Sequence, residues 1–542
     1  MSWRRSPVLA GLLLFLLYGA GSFLVDPGGS LGTDTGAKVA TVAHMVDADT
    51  WHPEVPYWAE AFDPDGRVHP IYDAQRVDGR WVHVTTLPML LAARPLYALG
   101  GYRLALLLPM LGAVGVAFGA RSLARRMADE AAGWRAFWVV GLTSPIVVYG
   151  LDLWEHSLGV ACVVGAVALL AGVLDGQRPV PRALGAGALL GVATTMRTEA
   201  LVYSVVVVGV CGLFLLAAGK VRPAVTTGAF AVVGFAPMWL GNQVLESALG
   251  GTSRAGRASG AASRGFSDVG DRVREAAVTL LAARPGAIGS VVLVGAMGTA
   301  LVVGAVLAGR AGRSELAIGL VAAAVALQLV EVLRGLGFVP GLFVAAPLAA
   351  VALALRPTAR SGSYVLAVAL GALPLVWAFQ YLGGAMPQWA GRYALSSCLL
   401  LVTLGAVALA RVERPLRLGL LALSALVTAS GVAWLSERSH DVDRWFEEAA
   451  VRPEDVLISR NGFFVREGGA AYDDRLWLTA VTDRDLSFAV SVVEDAGLDT
   501  FGVVDGRSSA PRSLHGGAAR LVGTEALPLL GSTLYVHTYE LS

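Results

Sequence analysis

The feature that most constrains this chain is a series of about 13 apolar runs, each close to the roughly 20 residues that a helix needs to cross a membrane. The runs centre on residues 8–25, 103–120, 134–150, 157–174, 183–199, 201–219, 224–241, 286–309, 315–333, 337–355, 363–382, 393–410 and 417–435. Only 15% of the 542 residues are charged, whereas soluble domains are nearer a quarter charged. The sequence therefore predicts a mainly α-helical, polytopic membrane protein with about 13 transmembrane helices.

The loops between these runs alternate in charge, and this alternation predicts their sides of the membrane. Cytoplasmic loops carry an excess of lysine and arginine, and arginines recur here in short loops at 121–126, 178–182, 310–313 and 411–417. Loop 26–86 is instead long and acidic. We expect a multi-pass protein of a bacterial plasma membrane, with a cytoplasmic N-terminus and an extracytoplasmic C-terminus. Because many further spans follow, we expect the first run to be a retained helix rather than a cleaved signal peptide.

Three segments are too polar to lie in lipid. Loop 26–86 contains a short helix, "TDTGAKVATVAHMV", with Thr33 or Asp34 as its expected N-cap. Loop 242–285 is rich in glycine, serine and arginine and is expected to be mobile. Residues 436–542 follow the membrane domain 1–435 and alternate strand-like and helix-like patterns, which predicts a small extracytoplasmic α/β domain.

The sequence lacks the motifs that are typical of several classes of function. The sequence contains no GxGxxG, no P-loop and no paired cysteines. Its net charge of +1 and the lack of a basic tail give no indication of nucleic-acid binding. The cysteines all lie inside apolar runs, which is typical of small core residues.

Ionisable side chains near membrane depth are costly and usually face a cavity. The stretch "YGLDLWEHSLG" at 149–159 places Asp152, Glu155 and His156 in one tight turn on the predicted outer face. This turn is either a polar interface loop anchored by Trp154 or part of a catalytic site. Because carboxylate and imidazole groups bind divalent metals, His156 with Glu155 is also a metal-ligand candidate.

Asp34 lies just beyond the first apolar run, at the predicted outer face. It is either a helix N-cap or a general base that removes a proton from an acceptor hydroxyl. Lys38 lies one turn later and either pairs with Asp34 or binds substrate.

Two further groups lie at predicted outer helix ends. Arg197 and Glu199 pair with each other, or Arg197 holds a phosphate. Trp389, Arg392 and Tyr393 either anchor the chain at the interface or bind substrate, with the arginine on a phosphate and the tryptophan on a sugar or prenyl tail. All these groups share one predicted face, which favours an enzyme of the outer leaflet. A transporter is expected instead to bury polar groups at mid-membrane in repeated halves.

The membrane part, roughly residues 8–435, resembles the GT-C membrane glycosyltransferases that use polyprenyl-phosphate sugars, such as protein mannosyltransferases and bacterial aminoarabinose transferases. The resemblance rests on "TDTGAK" (Asp34), "Y…LWEH" (Tyr149, Glu155), "GALLGVATTMRTEALV" and "W-x-G-R-Y" (Trp389, Gly391, Arg392, Tyr393). Protein mannosyltransferases have adjacent acids in the first loop, whereas Thr35 follows Asp34 here. This difference argues against that subgroup.

The resemblance implies transfer of a hexose or pentose from a polyprenyl-phosphate donor to an envelope glycan, lipid or protein, with inversion at the anomeric carbon. By this likeness Asp34 is the base and Arg392 a phosphate ligand. Glu155 or Asp152 is then a second acid or a metal partner, and a divalent metal is optional. Two other readings stay open: a transporter or flippase of a lipid-linked glycan, and a non-catalytic scaffold for envelope assembly.

Overall fold

The computed structural model describes residues 6–29, 32–71, 74–83, 86–250, 269–284, 287–335, 339–379, 389–511, 514 and 519–541. The glycine- and arginine-rich part of the predicted mobile loop, 251–268, lies outside these residues, as does 383–388 in the stretch before Trp389.

Most of the described chain is helical. In chain order the helices are α1 (Pro7–Gly21), α2 (Thr33–Asp47), α3 (Leu87–Ala105), α4 (Leu107–Met127), α5 (Glu130–Leu142), α6 (Ile146–Gly150), α7 (His156–Leu174), α8 (Pro179–Met196), α9 (Ala200–Ala217), α10 (Val221–Gly250), α11 (Val269–Leu281), α12 (Ile288–Arg310), α13 (Ser314–Leu333), α14 (Leu342–Ala345), α15 (Pro347–Ala354), α16 (Arg360–Phe379), α17 (Leu395–Ala408), α18 (Arg414–Ala450) and α19 (Asp483–Asp495). Short 3₁₀ turns at Ser22–Leu24, Arg392–Ala394, Leu409–Arg411 and Val465–Asp474 complete the helical elements.

Within the described residues, ten helices are long and apolar enough to cross a membrane. The predicted class, a mainly α polytopic membrane protein with small sheets near its C-terminus, is confirmed. The other predicted spans correspond to α5, α8 and the broken pair α14–α15, which are shorter or less apolar. Pro347 begins α15 directly after α14 because proline has no amide hydrogen to continue the preceding helix.

The chain divides into two compact units. The first, called here the helical unit, comprises Met1–Gly21, Leu107–Leu245 and Ser253–Trp434. The second, called the mixed unit, comprises Ser22–Leu106, Glu246–Thr252 and Leu435–Ser542. The prediction that 436–542 is a domain in its own right, separate from 1–435, stays a prediction.

The mixed unit contains two small sheets. Strands β1 (Ala74–Val77) and β2 (Arg80–His83) form an antiparallel hairpin. The larger sheet has the order β4-β3-β5-β7-β6 and is built from β3 (Val456–Ser459), β4 (Leu476–Thr479), β5 (Thr500–Asp505), β6 (Ala519–Leu529) and β7 (Ser532–Leu541). Strand β3 runs parallel to β4 and β5, whereas β7 runs antiparallel to β5 and β6.

One core joins the first loop to the C-terminal segment inside the mixed unit. Buried Trp81 belongs to the same cluster as Trp445 and Trp477. The indole of Trp58 donates to the carbonyl of Trp477 at 2.9 Å, and the hydroxyl of Tyr472 donates to the carbonyl of Pro56 at 2.7 Å. The apolar surface buried in this cluster stabilises the loop and the tail together, because burial of aromatic side chains dominates core energetics.

Glycines allow two helices of the helical unit to approach closely. A Cβ on Gly187 of α8 would lie 2.0 Å from the carbonyl oxygen of Ala231 in α10, and one on Gly234 of α10 would lie 2.2 Å from that of Leu184. Real side chains do not approach backbone so closely, so any larger residue must push these helices apart. Small residues at such crossings are how membrane helices pack without a hydrophobic driving force between them.

We predict that Gly187→Ala destabilises the protein by about 1–3 kcal/mol, the usual penalty of overpacking. The midpoint of thermal unfolding in detergent, Tm, measures this effect. Gly209→Ala in α9 is the matched control, because a Cβ there meets nothing within 4 Å. Equal Tm values for the two variants would show that the α8–α10 contact is not tight.

Candidate active site

The predicted site residues lie in two clusters, one in each unit. In the helical unit the cluster forms where several helices begin or end. The turn 151–155 connects α6 to α7, Arg197 is the C-cap of α8, and Glu199 is the N-cap of α9. The 3₁₀ turn Arg392–Ala394 leads into α17. Helix ends carry polar groups here because the apolar helix bodies exclude them.

A buried ion-pair network joins three of these elements. Nη1 of Arg197 lies 3.0 Å from Oε1 of Glu155, and its Nε lies 3.0 Å from Oε1 of Glu199. Arg197 and both carboxylates are almost entirely buried, and Glu155 is only 1% exposed. A buried charge is tolerated only when it is paired, so each member of this network depends on the others.

Arg392 and Tyr393 extend the network through aromatic contacts. The Arg392 guanidinium lies 5.5 Å from the ring centroid of Trp154 and 4.7 Å from that of Tyr393. Its Nη2 also donates to the Tyr393 hydroxyl at 3.1 Å. The Arg197 guanidinium lies 5.3 Å from the same tyrosine ring. Cation–π contacts orient a guanidinium without removing its charge.

Aromatic rings surround the turn that carries the acids. His156 stacks on Tyr149 with ring centroids 5.2 Å apart and meets Trp154 edge-on at 4.2 Å. The Tyr149 hydroxyl donates to the carbonyl of Trp389 at 2.9 Å. Asp152 is fully buried in the same turn. The structure thus brings together the 149–156 turn, the Arg197–Glu199 pair and the Trp389–Tyr393 segment, which the sequence had placed in separate groups.

The segment that carries Arg392 has unusual backbone geometry. Trp389, Ala390 and Gly391 have φ values of 25°, 67° and 65°, a region that costs a non-glycine residue of order 1–3 kcal/mol. Trp389 is held by stacking on Trp434, with ring centroids 5.9 Å apart. Packing therefore maintains a strained turn directly before Arg392.

The metal alternative finds little support in this geometry. Among the described residues, no group of three or more His, Cys, Asp or Glu side chains is placed to hold a metal ion. His156, the predicted ligand, packs its ring against two aromatic side chains instead. The assignment of His156 and Glu155 as metal ligands stays a prediction.

Asp34 belongs to the second cluster, in the mixed unit. Helix α2 begins at Thr33, and its N-cap is Gly32, with φ −160° and ψ 165°. The expectation that Thr33 or Asp34 caps this helix was wrong, because the chain turns one residue earlier. Asp34 lies instead in the first turn, where a carboxylate interacts favourably with the helix dipole. Lys38, one turn later, is buried.

Two residues that sequence reasoning missed accompany Asp34. Nη1 of Arg466, in the turn Val465–Asp474, lies 3.9 Å from Oδ1 of Asp34. Nη2 of Arg466 donates to Nε2 of His83 at 3.1 Å. Burial, and after it the charge of Arg466, holds the pKa of His83 well below its usual value, so this ring is neutral and accepts the bond. The expectation that Asp34 and the 152–156 turn share one face of the membrane stays a prediction.

No family model matches the chain, and no curated protein does. Among solved structures, the chain is similar to the apo oligosaccharyltransferase of Archaeoglobus fulgidus, with 13% identity, a TM-score of 0.48 and coverage of 93% of this chain and 70% of that one. It is also similar to ArnT from Cupriavidus metallidurans bound to undecaprenyl phosphate, with 14% identity, a TM-score of 0.42 and coverage of 98% and 97%. Both are GT-C glycosyltransferases.

We predict that Arg197→Ala strongly destabilises the helical unit. It leaves the buried carboxylates of Glu155 and Glu199 without their shared partner, and breaking a buried pair in this way costs about 3–5 kcal/mol. Denaturant unfolding in detergent measures the loss. Arg125→Ala is the control, because Arg125 forms a half-exposed pair with Glu130 at 3.8 Å, and such pairs contribute at most about 1 kcal/mol. Similar losses in both variants would contradict the network.

Proposed function

We propose that the protein is a membrane glycosyltransferase that moves a sugar from a polyprenyl-phosphate donor to an envelope glycan, lipid or protein acceptor at the outer leaflet. The observation that carries this proposal is the buried cluster of Glu155, Arg197, Glu199 and Tyr393, with the partly exposed Arg392 packed against it, assembled from distant segments of a membrane protein. Networks of buried charges that serve no substrate are rare within lipid-solvated helices, where each charge is costly.

The arginines of this cluster suit the leaving group of such a reaction. A polyprenyl phosphate leaves as an anion, and its departure is favoured by fixed positive charge in a site shielded from water. We assign the donor phosphate to Arg392, which is partly exposed, whereas Arg197 is buried between two carboxylates. The planar guanidinium of Arg392 suits two-pronged binding of phosphate oxygens. The rings of Trp154 and Tyr393 fix its position.

The acceptor side of the reaction is assigned to Asp34. Its carboxylate removes the proton of the acceptor hydroxyl while the acceptor oxygen attacks the anomeric carbon. The bond from that carbon to the phosphate oxygen breaks in the same step, which inverts the configuration. With its side chain 38% exposed, Asp34 is accessible to an acceptor, whereas Glu155 is not. Glu155 and Asp152 are therefore assigned to holding the cluster rather than to proton transfer.

We predict that Asp34→Asn abolishes transfer, because an amide cannot accept the acceptor proton, and that it leaves donor binding intact. The measurement uses purified protein in lipid with a panel of radiolabelled polyprenyl-phosphate sugars. Asp49→Asn is the matched control, since Asp49 lies just after the same helix α2 and its side chain is 96% exposed. Donor binding without turnover in the wild type, unchanged in Asp34→Asn, would favour a flippase of lipid-linked glycans instead.

We predict that Arg392→Gln weakens donor binding by about 10- to 100-fold, the equivalent of losing one hydrogen bond to a charged group. Arg392→Lys keeps the charge but not the planar fork, so an intermediate loss is expected. Titration with a labelled donor measures the dissociation constant. The control is Arg76→Gln, which removes a surface partner of Glu60 in the mixed unit. Unchanged donor affinity in Arg392→Gln would remove the phosphate assignment.

A further inference from the structure

We propose that Arg466, in the C-terminal segment, is a positioning residue that holds the carboxylate of Asp34 in the orientation needed for proton removal. This inference rests on the proposed function, because it needs Asp34 as the base. It gives the C-terminal segment a role in the chemistry itself.

The two partners differ in burial: the cation of Arg466 is buried and fixed, whereas the carboxylate of Asp34 is partly exposed. The side chain of Arg466 is 3% exposed, and its Nη1 lies 3.9 Å from Oδ1 of Asp34. The carboxylate keeps a face that an acceptor can reach. A charge interaction of this kind restricts the rotation of an acidic side chain, and precise orientation is a large part of what makes a general base effective.

Two further contacts fix the guanidinium of Arg466. Its Nη2 donates to Nε2 of His83 at 3.1 Å, and its Cζ lies 5.2 Å from the ring centroid of Phe463. Because His83 is buried and neutral, it accepts this bond and adds no charge beside Asp34. His83 and Phe463 thus hold the guanidinium in addition to Asp34, and supporting contacts of this kind keep a functional group in place.

The backbone of Arg466 also contacts the helix that carries Asp34. A Cβ on Gly36 would lie 1.9 Å from the carbonyl oxygen of Arg466, so α2 and this turn touch through main-chain atoms. One turn later, a Cβ on Gly469 would lie 3.3 Å from Cγ1 of Val39, and Gly469 has a φ of 54° that favours glycine. Side chain and backbone together set the position of residue 466 against the first turn of α2.

A purely structural role, tying the tail to the first loop, is the competing explanation. The chain offers a matched control for it. Arg438 pairs with Glu467 at 2.8 Å, with side chains 12% and 15% exposed. This pair lies in the same unit and is nearly as buried, and Glu467 is the residue that follows Arg466 in sequence. If Arg466 only stabilises the unit, its loss must resemble the loss of Arg438.

The experiment measures kcat and donor KM per folded molecule for the full-length protein in lipid, with Arg466→Ala, Arg466→Gln, Arg466→Lys and Arg438→Ala. We expect kcat to fall on the order of 10- to 100-fold in Arg466→Ala and Arg466→Gln, the effect of a misplaced reacting group. Donor KM stays within about twofold, since the donor phosphate is held elsewhere. Arg466→Lys should keep part of kcat, and added methylguanidinium should restore part of kcat in Arg466→Ala. Arg438→Ala should leave kcat unchanged.

The outcomes test the base assignment of Asp34 and the positioning role of Arg466 separately. An active Asp34→Asn variant overturns the base and with it this inference. An inactive Asp34→Asn beside an unchanged kcat in Arg466→Gln overturns the positioning role alone. If Arg466→Ala does not fold, Arg466→Gln and Arg466→Lys decide: a larger loss of kcat in the neutral variant supports the role, and equal kcat in both contradicts it.

Discussion

The buried pairing of Arg197 with Glu155 and Glu199 is the interaction on which the cluster in the helical unit depends. A charge at this depth is stable only with its partners, so helices α7, α8 and α9 must present their ends at one place. That requirement also fixes Tyr393, whose ring contacts Arg197, and through it Arg392. The network is thus a rigid support for Arg392, the residue proposed to bind the donor phosphate.

The sequence predicts those parts of the site that a short stretch of residues reveals, and it misses those that depend on contacts between distant residues. Apolar runs reveal membrane helices because the length and composition of a run are enough to indicate a span. Glu155, Arg197 and Arg392 are identified as polar groups at the ends of such runs. Their convergence is a tertiary property, but one that the cost of isolated charges in lipid makes predictable.

No local feature of the sequence identified Arg466 as part of the site. In "FFVREGG" it resembles any surface arginine, and its burial results from a hydrogen bond with His83, 383 positions away. The same limit applies to the strands. Elements β3 and β5 are buried apolar segments that a local pattern can indicate, whereas β6 is mostly exposed and pairs only along one edge. The N-cap at Gly32 was missed because aspartate and threonine are themselves good cap residues, which drew the prediction to Thr33 or Asp34.

The two clusters differ in whether the carboxylate is accessible, and this contrast supports assigning them different roles. In the helical unit the carboxylates of Glu155 and Glu199 are buried and paired with an arginine, so an acceptor does not reach them and they are suited to holding the cluster. In the mixed unit the arrangement is reversed: the arginine is buried and the carboxylate of Asp34 is accessible. A base must meet its substrate, and a carboxylate must be ionised to act as one. The exposed part of Asp34 meets the first condition, and the fixed guanidinium of Arg466 holds the carboxylate in one orientation.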